Sequence, residues 1–426
     1  MGPAISGCVL TVKAGSLRVM ATRTGSSVST ASFTDQRSAI GCLIGAWLLS
    51  VVTQGYIIVP ASVLPIITSE FSVSSSTAVW IVSATPGAWA VTNFLLGAGI
   101  DRYGDVTATV AATFTVAGAS ILSWWAGANG LFWLLLVARV IAGAGIGVIW
   151  TASANVVGQV FTHDTRGTAL GLFTTSAPAG FALAQIVTPI VARSHAWAAT
   201  FLIVALCAVA ALAVFGVSLR FVQRQPRETS ETAIQNFSQV LQSRPVRFGC
   251  VLAFAAYSLY LFMNSWMPTY LSQNFSISLG LSGLLASLFP AVGVVSRAGG
   301  GYLSDRVLGR RRLPVIKVSF LVALPVVLLI ARTSSVRLIA LLLVVSGFVI
   351  QLTFGVVYTY VQESVDLDVS GTALSLLGTA GVSGAFSAPL VAGVLIDTTE
   401  TYTSAFAYAA GIAVVGLVLA WFAPES

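Results

Sequence analysis

The sequence predicts an all-α integral membrane protein: twelve transmembrane helices in two six-helix halves related by pseudo-two-fold symmetry. Three observations carry this. Of 426 residues, 56% are hydrophobic and only 8% are Asp, Glu, Lys or Arg, with a mean hydropathy of +0.91. Apolar runs long enough to span a bilayer follow one another along the chain. The first half recurs in the second at one fixed offset.

Composition sets the solvent. Soluble domains carry about 25% charged residues, whereas 21 basic and 14 acidic residues are too few to cover a water-facing surface of this size. A span takes ~20 apolar residues, so the solvent for most of this chain is lipid. A soluble enzyme, a nucleic-acid binder and a disordered regulator are excluded. No paired acids, nucleophile constellation or metal-ligand spacing stands out, so the chain reads as no enzyme, with no cofactor and no metal. Cys8, Cys42, Cys207 and Cys250 make no CxxC pair. They read as helix thiols with neither a disulfide frame nor a metal site.

Residues 1–37 are rich in Ser, Thr and Gly, and read as a disordered cytoplasmic tail. Their short apolar stretch precedes Lys13 and Arg18, the reverse of a secretory signal; Met20 is an alternative start. Spans are expected near 38–66, 77–99, 107–127, 131–156, 167–191, 197–219, 246–270, 279–303, 313–331, 338–361, 371–395 and 403–423. Trp124, Trp125 and Trp197 lie near span ends and read as interfacial belt residues. One long connection, 221–245, separates an N-terminal half (38–220) from a C-terminal half (246–423).

The basic residues orient the chain. With the N-terminus inside, fifteen of the 21 fall on inner segments, and three (Arg193, Arg332, Arg337) on outer loops. Three more (Arg139, Arg297, Lys317) fall within spans. Lys/Arg concentrate on cytoplasmic loops, so both termini are expected in the cytoplasm, with the protein in the cell (plasma) membrane.

The repeat holds one register. Phe71-Ser72 matches Phe275-Ser276, and 275 − 71 = 204. Pro86 and Pro290, Gly97 and Gly301, Asp101-Arg102 and Asp305-Arg306 are also 204 apart, as are the Gly-Thr-Ala-Leu runs at 167 and 371. Six spans per unit is even, so the halves insert in the same sense, about an axis along the membrane normal.

The segments between spans two and three and between eight and nine resemble the signature of the major facilitator superfamily. The first reads Gly97-Ala98-Gly99-Ile100-Asp101-Arg102-Tyr103-Gly104. The second reads Gly301-Tyr302-Leu303-Ser304-Asp305-Arg306-Val307-Leu308-Gly309-Arg310-Arg311. Asp105 stands where a basic residue is usual. Span four is similar to a second family pattern through Leu135, Arg139, Gly143, Gly145 and Gly147. The resemblance implies a permease working by alternating access, with Gly97, Asp101, Arg102, Gly104, Gly301, Asp305, Arg306, Gly309 and Arg310 as gating residues. Its partners would be a small-molecule substrate and membrane lipid, with no nucleic acid, and the protein would be a monomer.

Arg297 lies eight residues before Asp305, about 12 Å along a helix. It either snorkels to the inner face or holds an anion in a cavity. Arginine in this region of span eight resembles the superfamily's carboxylate and nitrate carriers, and guanidinium grips planar oxyanions with two parallel hydrogen bonds. Arg139 is either a second substrate contact or a structural arginine on backbone carbonyls. Asn93, Tyr257, Asn264 and Gln351 are further candidates for substrate contacts or interhelical glue. Lys317 is expected to snorkel. No Asp or Glu falls deep in a span, and the drug-exporter motif is at most partial at Ser176-Ala177-Pro178-Ala179-Gly180-Phe181. Neither 174–184 nor 378–387 carries the Asn of nitrate porters. The expectation is a secondary active or facilitative carrier of a small organic or inorganic anion; the alternative is an exporter of hydrophobic or cationic compounds.

Overall fold

A computed structural model describes residues 30–95, 103–222, 237–309 and 311–425, which are helices and short connections with no strand among them. The spans are α1 (Thr30–Ile58, continued through a 3₁₀ turn Val59–Val63 into Leu64–Phe71) and α2 (a turn Ser75–Ala78, then Trp80–Leu95). Next come α3 (Asp105–Ala128), α4 (Phe132–Val160), α5 (His163–Thr174, then Ser176–Ser194) and α6 (Ala199–Leu219). After a short helix Phe237–Gln242 follow α7 (Arg244–Asn274), α8 (Leu279–Tyr302) and α9 (Leu313–Ile330). The last are α10 (Val336–Glu363), α11 (Leu367–Thr399) and α12 (Tyr402–Phe422). Among the described residues, 11 helices are long and apolar enough to cross a membrane. The twelfth is α2, whose predicted inner end falls in 96–102, outside the described residues.

The two halves are built alike. In the first, α1 packs on α5 and α6, α2 on α4, and α3 on α4 and α6; in the second, α7 packs on α11 and α12, α8 on α10, and α9 on α10 and α12. Local geometry repeats at the sequence offset. Ser72 and Ser276 both end a helix with positive φ, 51° and 53°. Ser74 then caps α2 by accepting from Thr77 N, and Ser278 caps α8 by accepting from Leu281 N. Deeper in, Gly143 of α4 lies against the Thr85 carbonyl of α2, and Gly347 of α10 against the Phe289 carbonyl of α8. A Cβ at either glycine would strike backbone, so the close approach requires glycine.

The halves meet where α5 faces α8 and α2 faces α11. At the Ser72 end, Asp397 accepts from Ser76 N at 2.8 Å, an anion at the positive end of α2. Gln185 donates to the Asn264 side chain and carbonyl at 3.1 and 3.2 Å. The rings of Phe181 and Tyr260 stack at 5.3 Å.

Two details differ from the sequence reading, and a third residue named there can be placed. Helix α1 begins at Thr30, eight residues before the predicted span, so the helical ladder runs beyond the apolar run. Trp197 is no belt residue: it is 2% exposed, since its Nε1 donates to Glu70 at 2.7 Å and its ring meets Phe71 and Phe201 edge-on. Lys317 lies with its ammonium 5.1 Å from the Trp421 ring.

Candidate functional site

Burying a guanidinium in a span is unfavourable unless its N–H groups are met. Arg139 is fully buried, and each of its three nitrogens has a backbone partner. Its Nε donates to the Ile81 carbonyl at 2.8 Å, and Nη1 and Nη2 to those of Tyr56 and Ile57 at 2.7 Å each. The cation also sits 4.2 Å over the Tyr56 ring. Pro60 explains why the Tyr56 carbonyl is free. A helix would bond it to the amide of residue 60, and proline has none; the chain tightens into the 3₁₀ turn there. Arg139 therefore braces α4 against α1 and α2 within one half, with one bond from each of its three nitrogens.

Arg297 is met only in part. Its Nε donates to Gln351 Oε1 at 3.3 Å and its Nη1 to the Thr174 carbonyl of α5, in the other half, at 3.2 Å. Nη2 has no hydrogen-bond partner among the described residues. The cation lies 4.6 Å from the Phe354 ring and 5.2 Å from that of Tyr260. No carboxylate among the described residues pairs with it. The Tyr260 hydroxyl is buried and has no hydrogen-bond partner. Tyr257 packs on Phe354 at 4.4 Å and hydrogen-bonds Tyr358. The result is an aromatic wall around a guanidinium with an open edge.

Gln351 is fixed from behind: its Nε2 donates to the carbonyls of Phe289 and Gly347 at 2.9 and 3.1 Å. It fits because residue 293 is glycine, directly against its amide. At the equivalent place in the first half the sizes are exchanged, with Trp89 lying against Gly147. Asn93, the counterpart of Arg297 by the 204-residue offset, accepts from Trp89 Nε1 at 3.2 Å. So the structure gathers Arg297, Gln351 and Tyr257 at one place. It puts Asn93 at the equivalent position of the other half, and engages Asn264 with Gln185 and with the Tyr260 carbonyl.

Gly97, Asp101, Arg102 and Arg310 lie outside the described residues. Gly104 turns the chain with φ 83° into α3, where Asp105 accepts from Asn155 and Gln159 at 2.8 and 2.7 Å. A carboxylate in the first turn of a helix is favoured by its dipole, which accounts for an acid where a base is usual. In the second half Gly301 sits in the last turn of α8, Asp305 in the π turn Leu303–Val307, exposed Arg306 beside it, and Gly309 turns with φ 59°. The sequence reading missed the ion pair there. Arg312 grips Glu363 at the end of α10 through Nε and Nη2, at 2.9 and 2.7 Å, and donates through Nη1 to Ser304. The signal was available: Glu363 and Gln159 are equivalent by the offset, and each partners the loop of its own half.

The profile of the Major Facilitator Superfamily matches residues 46–389. The chain is 26% identical to the hexuronate transporter of Bacillus subtilis over 82% of its length and 86% of the relative's. It is 25% identical to the cis,cis-muconate transport protein of Acinetobacter baylyi, covering 92% and 97%, and 24% identical to a probable sulfoacetate transporter of Cupriavidus necator, covering 84% and 87%. A bacterial homolog of the human lysosomal transporter Spinster, in an inward-facing and unoccupied conformation, shares the fold with a TM-score of 0.69 at 17% identity, covering 92% and 95%.

Proposed function

The chain belongs to the Major Facilitator Superfamily, and from that membership we propose that it carries a small anion across the membrane by alternating access, with Arg297 as the anion-binding group. One observation carries this reading. Arg297 is a cation at membrane depth with an open Nη2 edge and no described carboxylate, beside a buried hydroxyl without a partner. A cation left in that state favours an anion in the cleft and disfavours cations. The relatives named above are transporters of hexuronate, muconate and sulfoacetate, all oxyanions.

The charge of the substrate follows from counting guanidinium edges. Of the three basic residues inside spans, Arg139 has each nitrogen on a backbone carbonyl of its own half and the ammonium of Lys317 sits on Trp421. Arg297 alone of these faces the contact between the halves, so the site takes a solute with one anionic group. The halves are 38–220 and 246–423, and the connector 221–245 and both termini lie in the cytoplasm, where the Lys/Arg excess puts them.

The test is uptake by purified protein in liposomes. Arg297→Lys keeps the charge and loses the planar fork; Arg297→Gln loses both. Weak uptake of D-glucuronate by the Lys variant and none by the Gln variant, with both proteins folded, is expected. Normal uptake by the Gln variant overturns the assignment.

A further inference from the structure

Helix α5 is broken where its sequence reads Thr174-Thr175-Ser176-Ala177-Pro178. Each hydroxyl in this run turns back on its own helix. Thr174 Oγ1 donates to the Gly171 carbonyl at 2.7 Å, Thr175 Oγ1 to that of Leu172 and Ser176 Oγ to that of Phe173, both at 2.6 Å. The next carbonyl, that of Thr174, would in a continuous helix accept from the amide of residue 178. That residue is proline, and the donor does not exist. Among the described hydrogen bonds its partner is Arg297 Nη1, from the other half, at 3.2 Å. The device is one-sided. The equivalent region of α11 is unbroken, with Gly378 and Val382 in place of Thr174 and Pro178, and Asn93 stands in place of Arg297.

We propose that the Thr174 carbonyl, exposed by Pro178, is a built-in stand-in for the substrate's oxyanion at Arg297, and that a carboxylate displaces it, so that binding releases a contact between the two halves. This rests on Arg297 being the anion site. A carbonyl oxygen and a carboxylate oxygen present the same acceptor to Nη1. A neutral carbonyl satisfies it enough to keep the cation in place, and a carboxylate, charged and bidentate, outcompetes it. To grip both oxygens of a planar oxyanion the guanidinium must present two parallel N–H groups. Its Nε–Nη2 edge has Nε on Gln351, and its Nη1–Nη2 edge has Nη1 on Thr174. Gln351 is held by two backbone carbonyls within its own half, so the Thr174 contact is the one that yields. Binding energy is thereby linked to freedom between α5 and α8, which is what a carrier that moves only when loaded requires.

The experiment uses the full chain in nanodiscs, with its cysteines replaced and spin labels at Thr165→Cys and Val307→Cys, exposed positions at one end of α5 and α8. Pro178→Ala restores the missing amide, heals the helix and withdraws the Thr174 carbonyl; Arg297→Gln removes the donor. Without any ligand, both substitutions should lengthen or broaden the same inter-label distance. With D-glucuronate as probe, the parent protein should shift toward that distribution. Pro178→Ala should bind the probe about tenfold tighter, as a competing charged hydrogen bond is removed, while its distance no longer responds. A Pro178→Ala distance distribution identical to the parent's, or unchanged affinity, overturns the proposal. If no carboxylate binds the parent, the anion reading fails, and the ligand-free comparison of the two variants still decides whether the contact tethers the halves.

Discussion

Arg139 and Tyr56 are joined through a backbone carbonyl that proline left open: Nη1 donates to the Tyr56 oxygen at 2.7 Å, four residues before Pro60. Arg297 and Thr174 repeat the relationship, four residues before Pro178. In each case a proline strips one donor from a helix, and a guanidinium that would be too costly to bury alone supplies it. The difference lies in what each bond joins. Arg139 binds helices of one half with three nitrogens; Arg297 reaches into the other half with one and keeps another open. The same local device yields a brace in the first place and, on the proposed function, a site in the second.

Arg139 should therefore behave as a stability residue. Arg139→Leu removes three hydrogen bonds from a charged donor, and should destabilise the protein by about 3 kcal/mol or more, seen as a lowered thermal-unfolding midpoint in detergent. The fraction that remains folded should keep its affinity for D-glucuronate. A folded, stable variant with lost affinity would return Arg139 to the binding site.

Gln351 should tune Arg297 rather than touch substrate, since both ends of its amide are occupied. Gln351→Glu places a carboxylate against Nε and supplies the anion internally; uptake affinity should fall by about tenfold or more as the site loses its net charge. Gln351→Met leaves the cation unpaired and should cost less. Equal losses in the two variants would mean that the amide itself contacts the solute.

Much of this was legible in the chain. The twelve apolar runs and the 204-residue offset anticipate the helices and their pairing, because span length and small-residue contacts are local properties. The repeat also foretold matched geometry, as the left-handed Ser72 and Ser276 show. What the sequence did not disclose were partners distant along the chain. Trp197 reads as a belt residue until Glu70, 127 positions earlier, is seen to take its N–H. The choice between brace and site for Arg139 depended on carbonyls 58, 82 and 83 residues away. A rule that each proline frees the carbonyl four residues before it would have named Tyr56 and Thr174, but not which arginine reaches them.

The Arg312–Glu363 pair should act on conformational change rather than on binding. Arg312 is 6% exposed and Glu363 43%, so screening limits the pair to about 1 kcal/mol. It ties the 8–9 loop to the end of α10, away from Arg297. Glu363→Gln should change turnover by about threefold with affinity preserved, and high salt should mimic it. A large affinity loss at unchanged turnover would place the pair in the substrate path.

The helix count puts the described start of α1 and the end of α12 on the same face, and the proposed topology assigns that face to the cytoplasm from the Lys/Arg excess. A reporter active only outside the cytoplasm should be silent when fused after Arg227 or after Ser426 in a bacterial host. Activity at either junction would invert the topology and move the Arg312–Glu363 pair to the exterior.

The charge count gives the sharpest distinction among substrates. A dianion such as cis,cis-muconate would put its second carboxylate away from Arg297. Asn93, the counterpart of Arg297 in the other half, is neutral, and Arg139 is fully buried with each nitrogen on a backbone carbonyl. A carboxylate buried without a cation costs several kcal/mol (roughly 2–7 even for a neutral polar group without a partner). The second group must then be protonated or the solute rejected. Competition against labelled D-glucuronate at neutral pH should thus rank monocarboxylates above dicarboxylates and sulfocarboxylates of similar size by at least about tenfold. Lowering the pH toward the second carboxyl's pKa should narrow the gap as the dianion becomes a monoanion. Equal competition by muconate at neutral pH would show that a second cation lines the path, while leaving Arg297 as the first.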